Sequence, residues 1–160
     1  MMYKFLYQGK DERITMMNYQ EAFDFMTAYF TAYSEKGQLP ESVNVLDDFY
    51  EEEIFFDGSV PTPRSDWYES VLRHPAVQDK LTMDHFFFNE AEQEADCVVH
   101  TQAIERATGN VLVELGLNVY YKFKSQPDGK SKISHVHIHL EPNPMKHAAL
   151  AKAYNIMPGK

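Results

Sequence analysis

The sequence predicts an α+β fold, in which N-terminal helices are followed by a curled antiparallel sheet. Helical periodicity dominates the first half of the chain, whereas two-residue alternation dominates the second half, and short turn motifs separate the alternating segments. Long strands that curl around a helix leave a cone with an open mouth. Such a concavity is a natural pocket for a small molecule.

Two helices are predicted before residue 50. Asn18 and Glu21 form a capping-box pattern, apolar residues then recur at helical spacing, and Gly37 supplies a C-terminal stop. Pro40 opens a second, shorter helix. Its apolar side is formed by Val43, Leu46 and Tyr50. Residues 1–17 match no single pattern, so no element is predicted there.

A short strand and a third helix are predicted next. Residues 53–57 form an aromatic strand that Gly58 closes. Ser65 is expected to cap the third helix, and Pro75 ends it. A terminal helix is predicted over residues 144–154, because this segment is rich in alanine and begins with proline.

Four strands are predicted in the second half of the chain, at about 81–89, 95–106, 111–123 and 133–141. Every odd residue from 111 to 123 is apolar, which indicates that one face of this strand is buried. A Pro-Asp-Gly turn at 127–129 then lets the chain reverse and pair the last two strands. The four segments therefore predict an antiparallel meander.

Composition excludes several classes of function. The net charge of −9, from 15 Lys and Arg against 24 Asp and Glu, repels phosphate backbones, so no nucleic-acid partner is expected. The sequence contains no apolar run of about 18 residues, so no membrane span is predicted. The single cysteine, Cys97, and the lack of a secretory signal pattern predict a cytoplasmic location.

The length predicts one domain over residues 1–160. Nucleotide-binding and common hydrolase motifs are missing, and no cofactor is expected.

Two short stretches and the order of the elements suggest a family. The stretches are Ala28-Tyr-Phe-Thr-Ala-Tyr-Ser-Glu-Lys-Gly37 and Tyr50-Glu-Glu-Glu-Ile-Phe-Phe-Asp-Gly-Ser59. Over nearly the whole chain the sequence resembles the nuclear transport factor 2-like superfamily, which includes ketosteroid isomerases, scytalone dehydratases and SnoaL-like polyketide cyclases. The resemblance implies a cone-shaped roll and a homodimer, which we expect to form through the outer face of the sheet.

The resemblance also implies catalytic residues. Tyr29 falls on the position of the isomerases' oxyanion-hole tyrosine, and Asp57 falls on that of their catalytic base. The second oxyanion donor of the isomerases falls on Val119, with Asn118 one residue away, so the isomerase constellation is incomplete. The region around His85 resembles the strand where scytalone dehydratases place a catalytic histidine.

Four residues are therefore candidates for catalysis. Asp57 adjoins two phenylalanines, whose desolvation would raise its pKa and suit it to act as a general base. Tyr29 is a candidate hydrogen-bond donor to an oxyanion. His85 and His100, on strands expected to be neighbours, are candidates for a second acid or base. Each has a structural alternative: a turn aspartate, a core tyrosine, or a histidine satisfied within the sheet.

Aromatic residues near the expected pocket would suit a flat apolar ligand. Together with Asn118, the residues expected to line it are Phe30, Tyr33, Phe55, Trp67 and Phe87. The predicted function is binding of a small ring-containing molecule, with cofactor-free proton transfer by an isomerase, lyase or cyclase. The alternative is a non-catalytic ligand-binding or dimerisation module. Convergent polar groups inside the cone would favour the enzyme, and apolar residues on the outer face would favour the module.

Three histidines alternate with aliphatic residues in the last strand: His135, His137 and His139. We expect the aliphatic side to face the interior, which places the histidines on the convex outside. A metal site is the alternative, because histidines two apart on a strand lie about 6.6–6.8 Å apart and can converge on one ion. A register shift of one residue would turn all three into the pocket.

Overall fold

The computed structural model describes residues 15–155, so the part of the chain before Thr15 lies outside it. The elements in chain order are α1 (Tyr19–Glu35), a 3₁₀ helix (Val43–Asp48), β1 (Tyr50–Phe56), β2 (Pro61–Pro63), α2 (Arg64–Val71), β3 (Val77–Asn89), β4 (Glu94–Glu105), β5 (Val111–Ser125), β6 (Ser131–Leu140) and α3 (Pro144–Tyr154). The predicted α+β class is confirmed, with the helices first and the long strands second.

The six strands form one open sheet in the order β2-β1-β6-β5-β4-β3. Strands β3 to β6 are the predicted antiparallel meander. Strand β1 extends the sheet by pairing in parallel with β6, and the short β2 pairs with β1. The parallel pair was not predicted, because its two strands are separated in sequence by the whole meander.

Helix α1 packs against the concave face of the sheet. As predicted, Asn18 and Glu21 close a capping box, in which each side chain accepts a hydrogen bond of 2.8 Å from the other residue's backbone N–H. Gly37 follows the helix, and a Cβ atom there would lie 2.9 Å from Cα of Tyr33. The chain therefore needs glycine at this position for a close approach. The apolar face of α1 contains Ala22, Met26, Tyr29, Phe30 and Tyr33.

Two predicted helix boundaries are wrong. The second helix is only a 3₁₀ turn that ends at Asp48, and Tyr50 already lies in strand β1. The third helix begins directly after Pro63, so Ser65 lies inside α2 and is not its N-cap. Pro63 occupies the N-cap position and has no side-chain acceptor, so α2 begins without a side-chain cap.

A β-bulge in β3 reverses the inside and outside faces of that strand. Met83 pairs with Val99, whereas His85 pairs with Val98, so Asp84 is an extra residue. Beyond the bulge the even residues face the core, with Phe86 and Phe88 packed there. Phe87, by contrast, is 60% exposed. A bulge also bends its strand, which adds to the curl of the sheet.

Helix α3 covers the concave face at one end of β4 and β5. It lies where it was predicted, and Asn143 caps it by accepting a hydrogen bond of 3.1 Å from the backbone N–H of Lys146. Ala153 packs with Ala103 and Val113 in a second, smaller core cluster. In residues 15–155, no helix has both the length and the apolarity that a bilayer crossing requires.

Candidate functional site

A cavity of about 170 Å³ lies between α1, the concave face of the sheet and α3. The aromatic part of its wall consists of Tyr29, Phe30, Tyr33, Trp67, Tyr121 and Tyr154. The aliphatic part consists of Leu81, Leu117, Val119, Ile138, Leu140 and Leu150. Asp79 and Thr101 complete the lining. An apolar cavity of about 150 Å³ can bind benzene, so this space has the volume of one ring with a small substituent.

Asp79 is the carboxylate in this wall. It lies on β3, and only 6% of its surface is exposed. Its Oδ2 accepts a hydrogen bond of 2.7 Å from the hydroxyl of Tyr154, whereas Oδ1 has no hydrogen-bond partner within residues 15–155. Burial raises the pKa of this carboxyl, and the Tyr154 hydroxyl, His74 and Arg106 act against that increase. The site thus holds a carboxyl group with one free oxygen.

Gln38, which follows α1 and is 2% exposed, fixes the backbone N–H and carbonyl groups of Asp79. The Gln38 amide donates a hydrogen bond of 2.7 Å to the carbonyl oxygen of Asp79 and accepts one of 2.8 Å from its N–H. Ser34 accepts a further bond from the N–H of Leu81, at 2.9 Å. Because β3 is an edge strand, these side chains pair backbone groups that no neighbouring strand reaches.

Among the described residues, Thr101 is another polar group in the wall without a partner, as is the indole N–H of Trp67. Leu81 pairs with Thr101 and Asp79 pairs with Ala103, so Asp79 and Thr101 are diagonal neighbours on the concave face. Thr101 is 5% exposed, and its Oγ1 has no hydrogen-bond partner in the described part of the chain. Tyr33 lines the same cavity, and burial together with the charge of Asp79 raises its pKa. Its hydroxyl therefore stays protonated and can act as a donor.

Tyr29, predicted to be an oxyanion donor, lies in the wall of the cavity. Its hydroxyl forms a hydrogen bond with the hydroxyl of Tyr50, and burial raises the pKa of both groups. Phe30, Tyr33 and Trp67, which were expected in the pocket, also line it. The structure thus brings four of the predicted site residues together.

Asp57, predicted to be the base, lies outside the cavity, and its expected position in a desolvated pocket is wrong. It follows β1 with a left-handed backbone (φ 55°), and its side chain is 41% exposed. Its Oδ1 accepts a hydrogen bond of 3.0 Å from the backbone N–H of Ile138 and lies 2.7 Å from Nδ1 of His137. These contacts link the end of β1 to β6.

The two candidate acid–base histidines also lie outside the cone. His85 is exposed, because the bulge at Asp84 turns it away from the core. His100 is on the strand next to it, as expected, but faces outward: its Nδ1 lies 2.9 Å from a carboxylate oxygen of Asp84, and its Nε2 lies 3.6 Å from Glu114. His100 is therefore held between two carboxylates on the convex surface.

Three residues expected in the pocket lie elsewhere. Phe55 is on the outer face of β1, where its ring stacks on His135 with 4.5 Å between the ring centroids. Phe87 is turned outward by the bulge in β3. Asn118 is exposed, because its neighbour Val119 occupies the inward position of β5.

The register of β6 agrees with the expected outward position of the histidines. Val136 pairs with Tyr121 and Ile138 pairs with Val119, all four on the concave side, so His135, His137 and His139 lie on the convex side. In the part of the chain that the structure describes, no three His, Cys, Asp or Glu side chains are grouped as metal ligands. The alternative of a three-histidine metal site therefore has no geometric support.

Sequence reasoning missed four residues of the cavity and its support: Gln38, Asp79, Thr101 and Tyr154. For Asp79 a signal was present. Alternate residues of β3 from Val77 to Met83 are apolar apart from this aspartate, which places its side chain on the buried face. The predicted strand began at about residue 81, so the pattern was not extended back to it. No comparable signal marks Gln38, whose role depends on a tertiary contact.

No family model and no curated protein matches this chain. A SnoaL-like polyketide cyclase from Agrobacterium tumefaciens is 14% identical, with a TM-score of 0.58 over 81% of this chain and 94% of that chain. A nuclear transport factor 2-like superfamily protein from Salmonella enterica is 13% identical, with a TM-score of 0.58 over 78% of this chain and 91% of that chain.

A third similar structure is an epoxide hydrolase/cyclase-like enzyme of pyran ring formation in the polyether salinomycin. It is 12% identical, with a TM-score of 0.51 over 77% of this chain and 92% of that chain. At these identities the similarity establishes the fold and leaves the reaction open. The similarity agrees with the N-terminal helices and the open curled sheet described above. The chain therefore has the nuclear transport factor 2-like fold.

Proposed function

We propose that the cavity binds a small, largely apolar molecule with one ring, and that Asp79 exchanges a proton with it. The observation that carries this proposal is a buried carboxyl group with one free oxygen in a cavity whose other walls are mostly aromatic and aliphatic. Such a group, with its pKa raised by burial, suits acid–base work near neutral pH. Two of the structurally similar proteins are described as cyclases, which agrees with ring chemistry in this fold.

The geometry suggests how the proton moves. Tyr154 holds Oδ2 of Asp79, so Oδ1 is the atom that accepts a proton from the bound molecule. The electron pair left behind is delocalised onto the oxygen of a carbonyl group on the ring, where the protonated hydroxyl of Tyr33 can stabilise it. Return of the proton to a different atom gives an isomer, and loss of a leaving group gives a lyase reaction.

The volume of the cavity limits the size of the substrate. A volume of about 170 Å³ is well below the roughly 300–1,000 Å³ that is typical of pockets for drug-sized ligands. A single ring with one small substituent fills this space, whereas a fused system of several rings, such as a steroid, would extend beyond it.

A non-catalytic module remains the alternative function. Charged pairs on the outer face, such as Lys122 with Glu94 at 3.6 Å, do not favour it as a large apolar interface. The homodimer through this face stays a prediction. Polar groups that converge inside the cone favour an enzyme over a dimerisation module. A ligand carrier would use the same cavity and is distinguished from an enzyme by turnover alone.

Binding is tested with a matched pair of substitutions. Val119 faces the cavity and its neighbour Asn118 faces solvent, so Val119→Phe fills the cavity and Asn118→Phe leaves it open. Single-ring probes such as toluene should shift the NMR signals of cavity residues in the wild type and in Asn118→Phe. They should have no such effect in folded Val119→Phe. Equal responses of the two variants would overturn the proposed site.

Catalysis is tested by isotope exchange. A single-ring carbon acid such as cyclohexanone or cyclohex-2-enone is incubated with the protein in D₂O, and deuterium incorporation is followed by mass spectrometry. General acid–base catalysis contributes about 10²–10⁴-fold, so Asp79→Asn should lower the exchange rate by that factor. If the probes bind but the wild type accelerates deuterium exchange of no carbon acid of this size, the ligand carrier is favoured.

A further inference from the structure

We infer that the ligand carries a hydroxyl group on or next to its ring, and that this hydroxyl binds between Oδ1 of Asp79 and Oγ1 of Thr101. The inference rests on the proposed function and names the chemical class of its ligand. An ionised carboxylate oxygen has two acceptor sites, so Oδ1 can hold this hydroxyl and still take a proton from an adjacent ring carbon. Both oxygens are buried in the cavity wall, and neither has a hydrogen-bond partner among the described residues. Their strands pair directly, which makes the two side chains diagonal neighbours on the concave face.

A hydroxyl matches both protein atoms at once. An ionised carboxylate only accepts hydrogen bonds, whereas a threonine hydroxyl both donates and accepts. A ligand O–H can donate to Asp79 while its oxygen accepts from Thr101. If Asp79 is protonated the directions reverse, since Asp79 then donates to the ligand oxygen and the ligand donates to Thr101. One hydroxyl therefore satisfies both groups in either protonation state, which matters because an unpaired buried polar atom is costly.

The charges around Asp79 argue against a ligand ammonium group. Arg106 lies close enough for its positive charge to act on the Asp79 carboxyl, so a second cation there would be repelled by it. An ammonium also has no acceptor site, which would leave the O–H of Thr101 unpaired. A ligand carboxylate is unsuitable for a different reason, because it would place a second negative charge beside Asp79.

The rest of the cavity accounts for the ring. Tyr33 and Trp67 stack with an angle of 8° between their ring planes, and both line the cavity together with aliphatic side chains of β5. A flat apolar ring can pack on this surface while its hydroxyl reaches the two oxygens. The expected ligands are therefore cyclic alcohols, phenols or arylmethanols with a single ring.

Three probes of equal size test the inference: benzyl alcohol, ethylbenzene and benzylamine, which is an ammonium ion at pH 7. Dissociation constants are measured by NMR titration or calorimetry. A hydrogen bond to a charged group contributes enough for benzyl alcohol to bind at least about tenfold more tightly than ethylbenzene. Thr101→Val removes one bond with little change in shape, and should reduce this preference about fivefold without changing ethylbenzene binding.

The control substitution is Thr82→Val, which makes the same chemical change on the exposed face of β3 and should leave the preference intact. Equal affinities for benzyl alcohol and ethylbenzene would overturn the inferred hydroxyl, yet leave the binding cavity supported. Tighter binding of benzylamine would overturn it in favour of an amine. A preference that persists in folded Thr101→Val would remove Thr101 from the site. If none of the three probes binds, the proposed function fails as well.

Discussion

The hydroxyl of Tyr154 donates a hydrogen bond of 2.7 Å to Oδ2 of Asp79, and this bond joins the C-terminal helix to the edge strand β3. The ring of His74 stacks on Tyr154 with 4.0 Å between the ring centroids, so the tyrosine is fixed from two sides. The helix that covers one end of the cavity thus also orients the carboxylate inside it. Because Oδ2 is occupied, the free oxygen of Asp79 is the one that a ligand can reach.

We predict that the pKa of the Asp79 carboxyl in the folded protein is above its usual value, because the group is buried. Carboxyl-carbon NMR titration measures this pKa, and Asp79→Asn assigns the resonance. Between the ordinary pKa of the unfolded chain and the raised pKa of the folded chain, the folded state binds more protons, so this group makes stability fall as pH rises.

The same substitution tests the effect on stability. As pH rises through that window, the free energy of unfolding of the wild type should fall relative to that of Asp79→Asn. Chemical denaturation at several pH values measures it. A pKa at or below the ordinary value, or a free-energy difference that does not depend on pH, would contradict the raised pKa and with it the acid–base role.

The hydrogen bond from Tyr154 stabilises the ionised form of Asp79. Tyr154→Phe removes this bond and should therefore raise the pKa of Asp79 further. The variant should also be less stable by roughly 1.5–3 kcal/mol, the range expected for a hydrogen bond to a charged group. NMR titration and urea unfolding measure the two effects. Tyr120→Phe is the matched control, since Tyr120 donates a similar bond of 2.9 Å to Glu94 on the outer face. An Asp79 pKa that is unchanged in Tyr154→Phe would show that the bond does not tune the carboxyl.

Local signals in the sequence were enough to predict most of the fold. The capping box at Asn18 and the alternation in β5 each depend on residues close in sequence, and both elements formed where expected. The bulge at Asp84 depends on how β3 pairs with β4, which the sequence of β3 alone does not reveal. One extra residue exchanged the faces of the strand, and His85 and Phe87 were therefore misplaced.

The candidate site was predicted only in part, and for the same reason. Tyr29 and its neighbours lie on a strongly periodic helix, so their inward direction could be inferred. Asp79 lies near the start of a strand, and strand ends are the least certain part of any prediction from sequence. Gln38 and Tyr154 reach Asp79 through contacts 41 and 75 residues apart in sequence, which no local pattern encodes.

Gly37→Ala should destabilise the protein, because the added Cβ would lie 2.9 Å from Cα of Tyr33 and about as close to the side chain of Leu46. Overpacking of this kind typically costs about 1–3 kcal/mol. Gly58→Ala is the control, since its Cβ would meet nothing closer than 3.9 Å. Thermal and urea unfolding compare the two variants. Equal stabilities would show that the turn after α1 can relax to admit the added methyl group.

Asp57 provides the last prediction, because the family resemblance and the geometry assign it different roles. Its left-handed backbone and its bond to the N–H of Ile138 indicate a structural role at the junction of β1 and β6. Asparagine tolerates this backbone and retains an acceptor, so Asp57→Asn should leave stability nearly unchanged. Asp57→Ala lacks both properties and should cost about 1–3 kcal/mol.

Asp57 lies outside the cavity, so its replacement should change binding and catalysis by no more than about 0.4 kcal/mol. Both Asp57 variants should therefore keep the affinity for benzyl alcohol and the rate of deuterium exchange within about twofold of the wild type. Calorimetry and mass spectrometry measure the two quantities beside Asp79→Asn. A large loss of exchange in folded Asp57→Asn, with Asp79→Asn still active, would reverse the assignment. The base would then be the residue indicated by the resemblance, and the chemistry would take place on the outer side of the β1–β6 junction.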